Sequence, residues 1–356
     1  MQKYRNRILA GFGIGFVIYV GLLLFVNVED LLNHLQVYPW ALLLPVILLK
    51  FISWFFRFLQ WDYFLGVIDA RHKIRRFDSV ALFIAGFTMA VSPGKVAEVL
   101  KAVILKNKTG TPIASGAAVV IAERVVDGVA VILLAFGALL LAAQGMSLGD
   151  YLGLIYLATA LLLFGLVAVR IRPLAYLVLD KIVARLPLVR RVYEPLRTFY
   201  ESSYEIFKIR HMLPTTFFGI VAALGDALGF VIILSGFGVE VTWLLFLQAV
   251  VIICLSSAIG ALSGVPNGAG ITEISVSAML LVIVAPQNPP MTPAVAATAA
   301  LIEGFFHKWF RVFVGLAVAV IFRKRLFSPE LETTLAEMES QKARKYASYN
   351  TEGMQV

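Results

Sequence analysis

SPGKVAEVLK, residues 92–101, interrupts a stretch that otherwise reads as membrane, with ALFIAGFTMAV (81–91) before it and AVIL (102–105) after it. Ser92 is a helix-capping residue, Pro93 suits a first helical position, and Gly94 lets other groups come close. Lys95, Glu98 and Lys101 then place charge where hydrocarbon penalises it. The break starts a new helix whose free N–H groups and positive dipole end point into the protein. Such an end is a ready anion site, and Lys95 adds a full charge to it. A simple kink accounts for Pro and Gly but leaves the three charges unexplained. The arms on either side, within 79–107, are each too short to span, so the segment reads as a re-entrant helical hairpin.

A second apolar stretch, 243–286, is broken in the same way at SGVPNGAG, 263–270. Its arms also read as too short to span separately. After Pro266, Asn267-Gly268-Ala269-Gly270 is positioned to form a backbone nest, followed by a helix with Glu273 in its first turn. PGKVAEV (93–99) and GAGITEI (268–274) share the order aliphatic, any residue, Glu, aliphatic.

The rest of the chain agrees with a membrane setting. It has 356 residues, 60% hydrophobic and only 15% charged, and a mean hydropathy of +0.86, whereas soluble domains carry about a quarter charged residues. Six segments qualify as full spans: 8–26, 39–59, 113–143, 151–169, 213–235 and 294–322. The first reads as a retained helix rather than a cleaved leader. With six spans and two hairpins, the basic stretches RHKIRR (71–76), KNK (106–108), RIR, RR and RKR fall on one side. The opposite loops contain no Lys or Arg. That asymmetry places both termini in the cytoplasm and the net charge of +9 against anionic lipid rather than nucleic acid. The expected fold is an all-α polytopic membrane protein of about six spans and two re-entrant hairpins in an inverted repeat. Its halves are about 1–143 and 151–322, with an amphipathic cytoplasmic segment at 170–212 and a cytoplasmic tail at 323–356. Inverted repeats with broken helices are a transporter architecture with the site near the midplane.

Other intramembrane charges cluster. Glu123, Arg124 and Asp127 in AERVVDG (122–128) can meet on one helix face, as a gate, a proton relay or a structural ion pair. Lys50 and Arg57 share a face of the second span. Asp226, Glu303, His307, Lys308 and Arg311 lie in the later spans, and Arg57 and Lys308 are positioned to snorkel to the cytoplasmic side. A single cysteine, Cys254, excludes an intrachain disulfide. There is no HExxH and only four His, so neither a metal nor another cofactor is expected.

In order, SPGKVAEVLKAVIL, AERVVDGVAVILL and SGVPNGAGITEISV resemble the flippase-like membrane domain family, the transmembrane region attached to lysylphosphatidylglycerol synthases. The resemblance runs to about residue 322 and implies movement of lipids between leaflets. By motif it marks Pro93, Gly94, Glu98, Lys101, Glu123, Arg124, Asp127, Pro266, Gly268, Gly270 and Glu273. Two features depart from the pattern. No aminoacyl-transferase domain is expected beyond residue 322, so lysyl transfer is not implied. LIEGFFHKWFR (301–311) stands where the family often has an arginine in a Leu-Tyr-Arg-like stretch, with Glu303 or Gly304 near that place and Arg311 two turns later. The expectation is a transporter in the cytoplasmic membrane, not an enzyme, flipping an anionic phospholipid or lipid-linked intermediate. A lipid-modifying enzyme or a second copy is the expected partner. The alternatives are a glycosyltransferase with its acid at Glu29 or Asp30, and a non-transporting scaffold.

Overall fold

The computed structural model describes residues 28–91, 98–142 and 193–326, together with the single helical positions 153, 160, 172 and 176. Every regular element among them is helical. In order these are α1 (Val28–Val37), α2 (Leu43–Val67), α3 (Arg76–Ala85), a 3-10 turn Gly86–Val91, α4 (Glu98–Thr109), α5 (Ile113–Leu141), α6 (Tyr193–Ile206), α7 (Ile209–Ser235) and α8 (Trp243–Leu262). A 3-10 turn Pro266–Gly268 leads to α9 (Ile271–Met279) and a π turn Leu280–Val284, followed by α10 (Pro293–Gly304), a second π turn Phe305–Phe310, α11 (Arg311–Ile321) and α12 (Arg323–Leu326).

Five of the described helical runs are long and apolar enough to cross a bilayer: Trp40–Val67, Ile113–Leu141, Ile209–Ser235, Trp243–Leu262 and Pro293–Ile321. Four of them match expected spans; the expected spans at 8–26 and 151–169 lie outside the described residues. The fifth corrects the reading of 243–286. Its first arm has 20 residues, a length that reaches across hydrocarbon. Its boundaries have local causes: Thr242 accepts the N–H of Leu245 at the start (3.1 Å), and the chain leaves the helix at Ser263, just before a left-handed Gly264. The arms of the first break, Arg76–Val91 and α4, are short as expected.

The apolar core divides in two. One part gathers Val46, Ala135, Phe230, Leu234, Val250 and Leu280. The other gathers Trp61, Phe64, Leu82, Ile104, Val119 and Ile206. Both parts draw on α2 and α5. Between the two core parts, α2 carries Lys50, Ser53, Arg57 and Gln60, so a polar seam crosses the middle of the bundle. α7 packs along α2, and both breaks close on the last span. Lys308, near the middle of Pro293–Ile321, donates to the carbonyl of Gly268 at 3.2 Å. The turn at 86–91 in turn approaches the turn at 266–268. The turns at 86–91 and 266–268 therefore meet beside the middle of the last span.

Two expected boundaries move. Residues 209–212 of the amphipathic segment form the first turn of α7. Before that turn, Lys208 and Arg210 hold the Glu205 carboxyl below its usual range by hydrogen bonding and charge. At the other end α12 packs on α3 with Leu326 buried, so helical structure packed on the bundle runs past residue 322.

Gly315 of α11 is where the last span touches the arm that precedes the first break. A Cβ there would come within 2.8 Å of the Ile84 carbonyl, 3.1 Å of Phe87 Cβ and 3.2 Å of the Thr88 N. Gly315→Leu is expected to lower stability by about 1–3 kcal/mol, measured as thermal unfolding in detergent. An unchanged melting temperature contradicts this packing.

Candidate functional site

The seam opens into a cleft of about 630 Å³, counted to its mouth. Four cationic side chains line it, Arg57, Lys101, Arg124 and Arg311, against two acids, Glu123 and Asp127. Phe83, Phe87, Met89 and Val120 supply apolar wall. Four elements supply the charged groups: α2 gives Arg57, α4 Lys101, α5 Glu123, Arg124 and Asp127, and α11 Arg311. α4 presents Lys101, whose ammonium donates to Glu123 Oε2 at 2.8 Å and lies 3.6 Å from the centroid of the Trp61 ring. The Trp61 indole N–H is itself held by Ser79 Oγ at 3.1 Å. An ammonium placed over an indole face and bonded to a carboxylate is well compensated for its burial.

Glu123 and Asp127 stand one turn apart on α5, as their spacing predicts, but they turn to different partners. Asp127 Oδ2 accepts from Arg57 at 2.6 Å, and Arg124 lies 3.9 Å from the same oxygen. Arg57 continues to Asp226 at 3.8 Å, and Asp226 Oδ1 accepts from Lys50 at 3.1 Å. A chain of ion pairs thus runs along α2 from the cleft into the bundle. Arg57 does not snorkel away; two carboxylates hold it inward.

The second break departs from expectation in an informative way. Asn267, Gly268 and Gly270 take positive φ values of 55°, 61° and 82°, and the last two are easy only for glycine. The nest they were expected to form is already filled. Glu273 folds back as a capping box and accepts the N–H of Gly270 at 2.8 Å and the Thr272 hydroxyl at 3.0 Å. Lys308 then donates to both Glu273 oxygens at 2.9 Å. The helix N-terminus therefore holds an internal carboxylate with its own counter-cation. Lys308 is 4% exposed and does not snorkel. The group that faces the cleft from this side is Arg311, which donates to Asn267 Oδ1 at 2.8 Å.

Of the residues singled out from sequence, Lys101, Glu123, Arg124, Asp127 and Arg311 meet around the cleft. Asp226 and Glu303 lie behind it, around Lys50. Asn267, Gly268, Gly270 and Glu273 form the adjoining turn, with Pro266 opening it. Glu98 begins α4, whereas Ser92, Pro93, Gly94 and Lys95 lie outside the described residues. Gln60, Trp61, Phe83 and Phe87 were not anticipated. Gln60 had a legible signal: with Lys50 and Arg57 it completes a polar stripe at helical spacing on an otherwise apolar helix.

The sequence matches the family model described as the lysylphosphatidylglycerol synthase TM region over residues 9–315. No curated protein and no solved structure matches the chain.

Proposed function

Because this chain belongs to the lysylphosphatidylglycerol synthase transmembrane-region family, a family with a membrane lipid-related function, we propose that it moves an anionic lipid headgroup between leaflets. One observation carries the reading: a cleft lined by four cations and two acids, where the turn at 86–91 approaches the turn at 266–268 beside the last span. A phosphate entering hydrocarbon loses its hydration. Fixed Arg and Lys donors at half depth replace part of it. The aromatic and aliphatic wall beside them suits the glycerol and first methylenes, so tails can stay in lipid while the headgroup crosses. In this reading the first break is a re-entrant hairpin, and rocking of one half of the bundle against the other alternates access. The protein acts as a transporter rather than an enzyme. It lies in the cytoplasmic membrane with its basic loops inside, where a lipid-modifying enzyme delivers the substrate.

The test is reconstitution in liposomes with fluorescent phosphatidylglycerol, whose exchange between leaflets is followed by quenching from outside. Wild-type protein is expected to speed exchange over protein-free vesicles. Arg311→Ala is expected to slow it about tenfold, equivalent to about 1.4 kcal/mol of lost headgroup stabilisation. Exchange equal to that of empty vesicles overturns the reading.

A further inference from the structure

Among the ionisable side chains that lie behind the cleft, one is poorly satisfied. Glu303, on α10 just before the π turn, is 3% exposed, and neither of its oxygens accepts a hydrogen bond. Its neighbours are the Lys50 ammonium at 3.6 Å and His307 Nδ1 at 3.4 Å. Lys50 is closer to Asp226, at 3.1 Å, so one ammonium serves two buried carboxylates. His307 lies between them, 3.4 Å from Lys50 and 4.0 Å from Asp226 Oδ2. A buried carboxylate without donors is costly to keep ionised.

The surroundings favour a proton as the compensating species. Glu303 lines a second cavity, about 290 Å³, whose walls include Ser256, Ser257, Thr272 and Glu273. Such polar walls can hold water that delivers a proton. Lys50 on one side and Lys308 on the other repel a metal cation. The other charged groups nearby are committed: Glu273 to Lys308, Arg57 to Asp127 and Asp226, and Arg311 to Asn267. α1, packed against α10, contributes no ion pair to Glu303 among the described residues. The π turn at 305–310 sets His307 and Lys308 at this point, and π-bulges within α-helices are frequent at functional sites.

We propose that Glu303, with His307 beside it, is a proton-binding site whose occupancy sets how strongly Asp226 draws Arg57 away from the anion cleft. With Glu303 ionised, Lys50 is divided between Glu303 and Asp226, and Asp226 retains Arg57. When the carboxylate takes a proton from cavity water, Lys50 passes wholly to Asp226, and Asp226 loosens its 3.8 Å contact with Arg57, which stays bonded to Asp127 at the cleft wall. No electrons move, and one proton accompanies one anionic headgroup. The link rests on the headgroup reading of the cleft; the proton site itself does not.

The experiment follows the carboxylic C=O stretch by infrared difference spectroscopy of the purified protein in nanodiscs, titrated with pH, with and without phosphatidylglycerol. A band that Glu303→Gln removes is expected. Binding sites are linked reciprocally, so phosphatidylglycerol should shift the titration of that band to higher pH and bind about fivefold or more tighter to the protonated state. Should Glu303→Gln fail to fold, Glu303→Asp keeps the carboxyl and is expected to move the titration. A band that survives Glu303→Gln, or an unmoved titration in Glu303→Asp, overturns the site. A titrating band that phosphatidylglycerol leaves in place overturns the link. If the band behaves as expected but liposomes show no lipid exchange, the headgroup reading falls and the proton site stands.

Discussion

Lys308→Met is expected to lower the stability of the folded protein by about 3–5 kcal/mol, the range for removing one partner of a buried ion pair. The ammonium of Lys308 donates to both oxygens of Glu273 and to the Gly268 carbonyl. Methionine fills the space of the side chain but supplies no donor. Glu273 then keeps its bonds from Gly270 N and Thr272 Oγ1 without a counter-cation, and the break loses its tether to the last span. Much of the loss is attributable to the stranded carboxylate rather than to the missing bridge. Adding Glu273→Gln should therefore restore part of the stability, with a coupling of about 1 kcal/mol or more in the double-mutant cycle. Asp69 and Lys73, 87% and 50% exposed, are a solvated pair at 3.9 Å. Asp69→Asn should change stability by less than about 1 kcal/mol. Thermal unfolding in detergent reads all of these variants. A double variant no more stable than the single one contradicts the pairing.

How much of this architecture is legible in the sequence depends on the range of the interaction. The breaks are local events written by Pro, Gly and Ser in apolar runs, and the turn at 266–268 falls where those residues stand. Long helices are equally local, since an unbroken apolar run of about 20 residues has few alternatives in a bilayer. The exception is α8: measured from the break, its arm falls at the threshold length, and only the geometry shows that Trp243–Leu262 is continuous. Partner choice was not legible. Lys50 and Asp226 are 176 positions apart, and helical spacing on α2 gives a shared face without naming the helix opposite. Glu123 and Asp127 were readable as one face of α5, yet α4 claims one and α2 the other. The case of Glu273 is different again. Its position three residues after Gly270 is the spacing of a capping box, but the same residues also fit an open nest for an external anion. What separates the two readings is Lys308, brought in from another helix.

The second large effect concerns the cleft itself. The central claim is that a lipid headgroup passes between the two breaks, beside Lys101 and Arg311, and it is tested most directly by obstructing that passage. Gly86 lines the cleft, and a Cβ added there meets only the Lys101 side chain at 3.5 and 3.7 Å, which is ordinary contact. Gly86→Cys should therefore fold and point its thiol at the headgroup position. The single native cysteine, Cys254, is buried and without a disulfide, so Cys254→Ala gives a background without other thiols. Leu133→Cys, at a position 52% exposed on α5, labels the outer surface of the bundle as a control. The decisive measurement is the rate of fluorescent phosphatidylglycerol exchange in proteoliposomes before and after reaction with a bulky maleimide. Labelling Gly86→Cys is expected to reduce exchange to that of empty vesicles, and labelling Leu133→Cys to leave it unchanged. Full exchange through fully labelled Gly86→Cys protein would contradict the central claim.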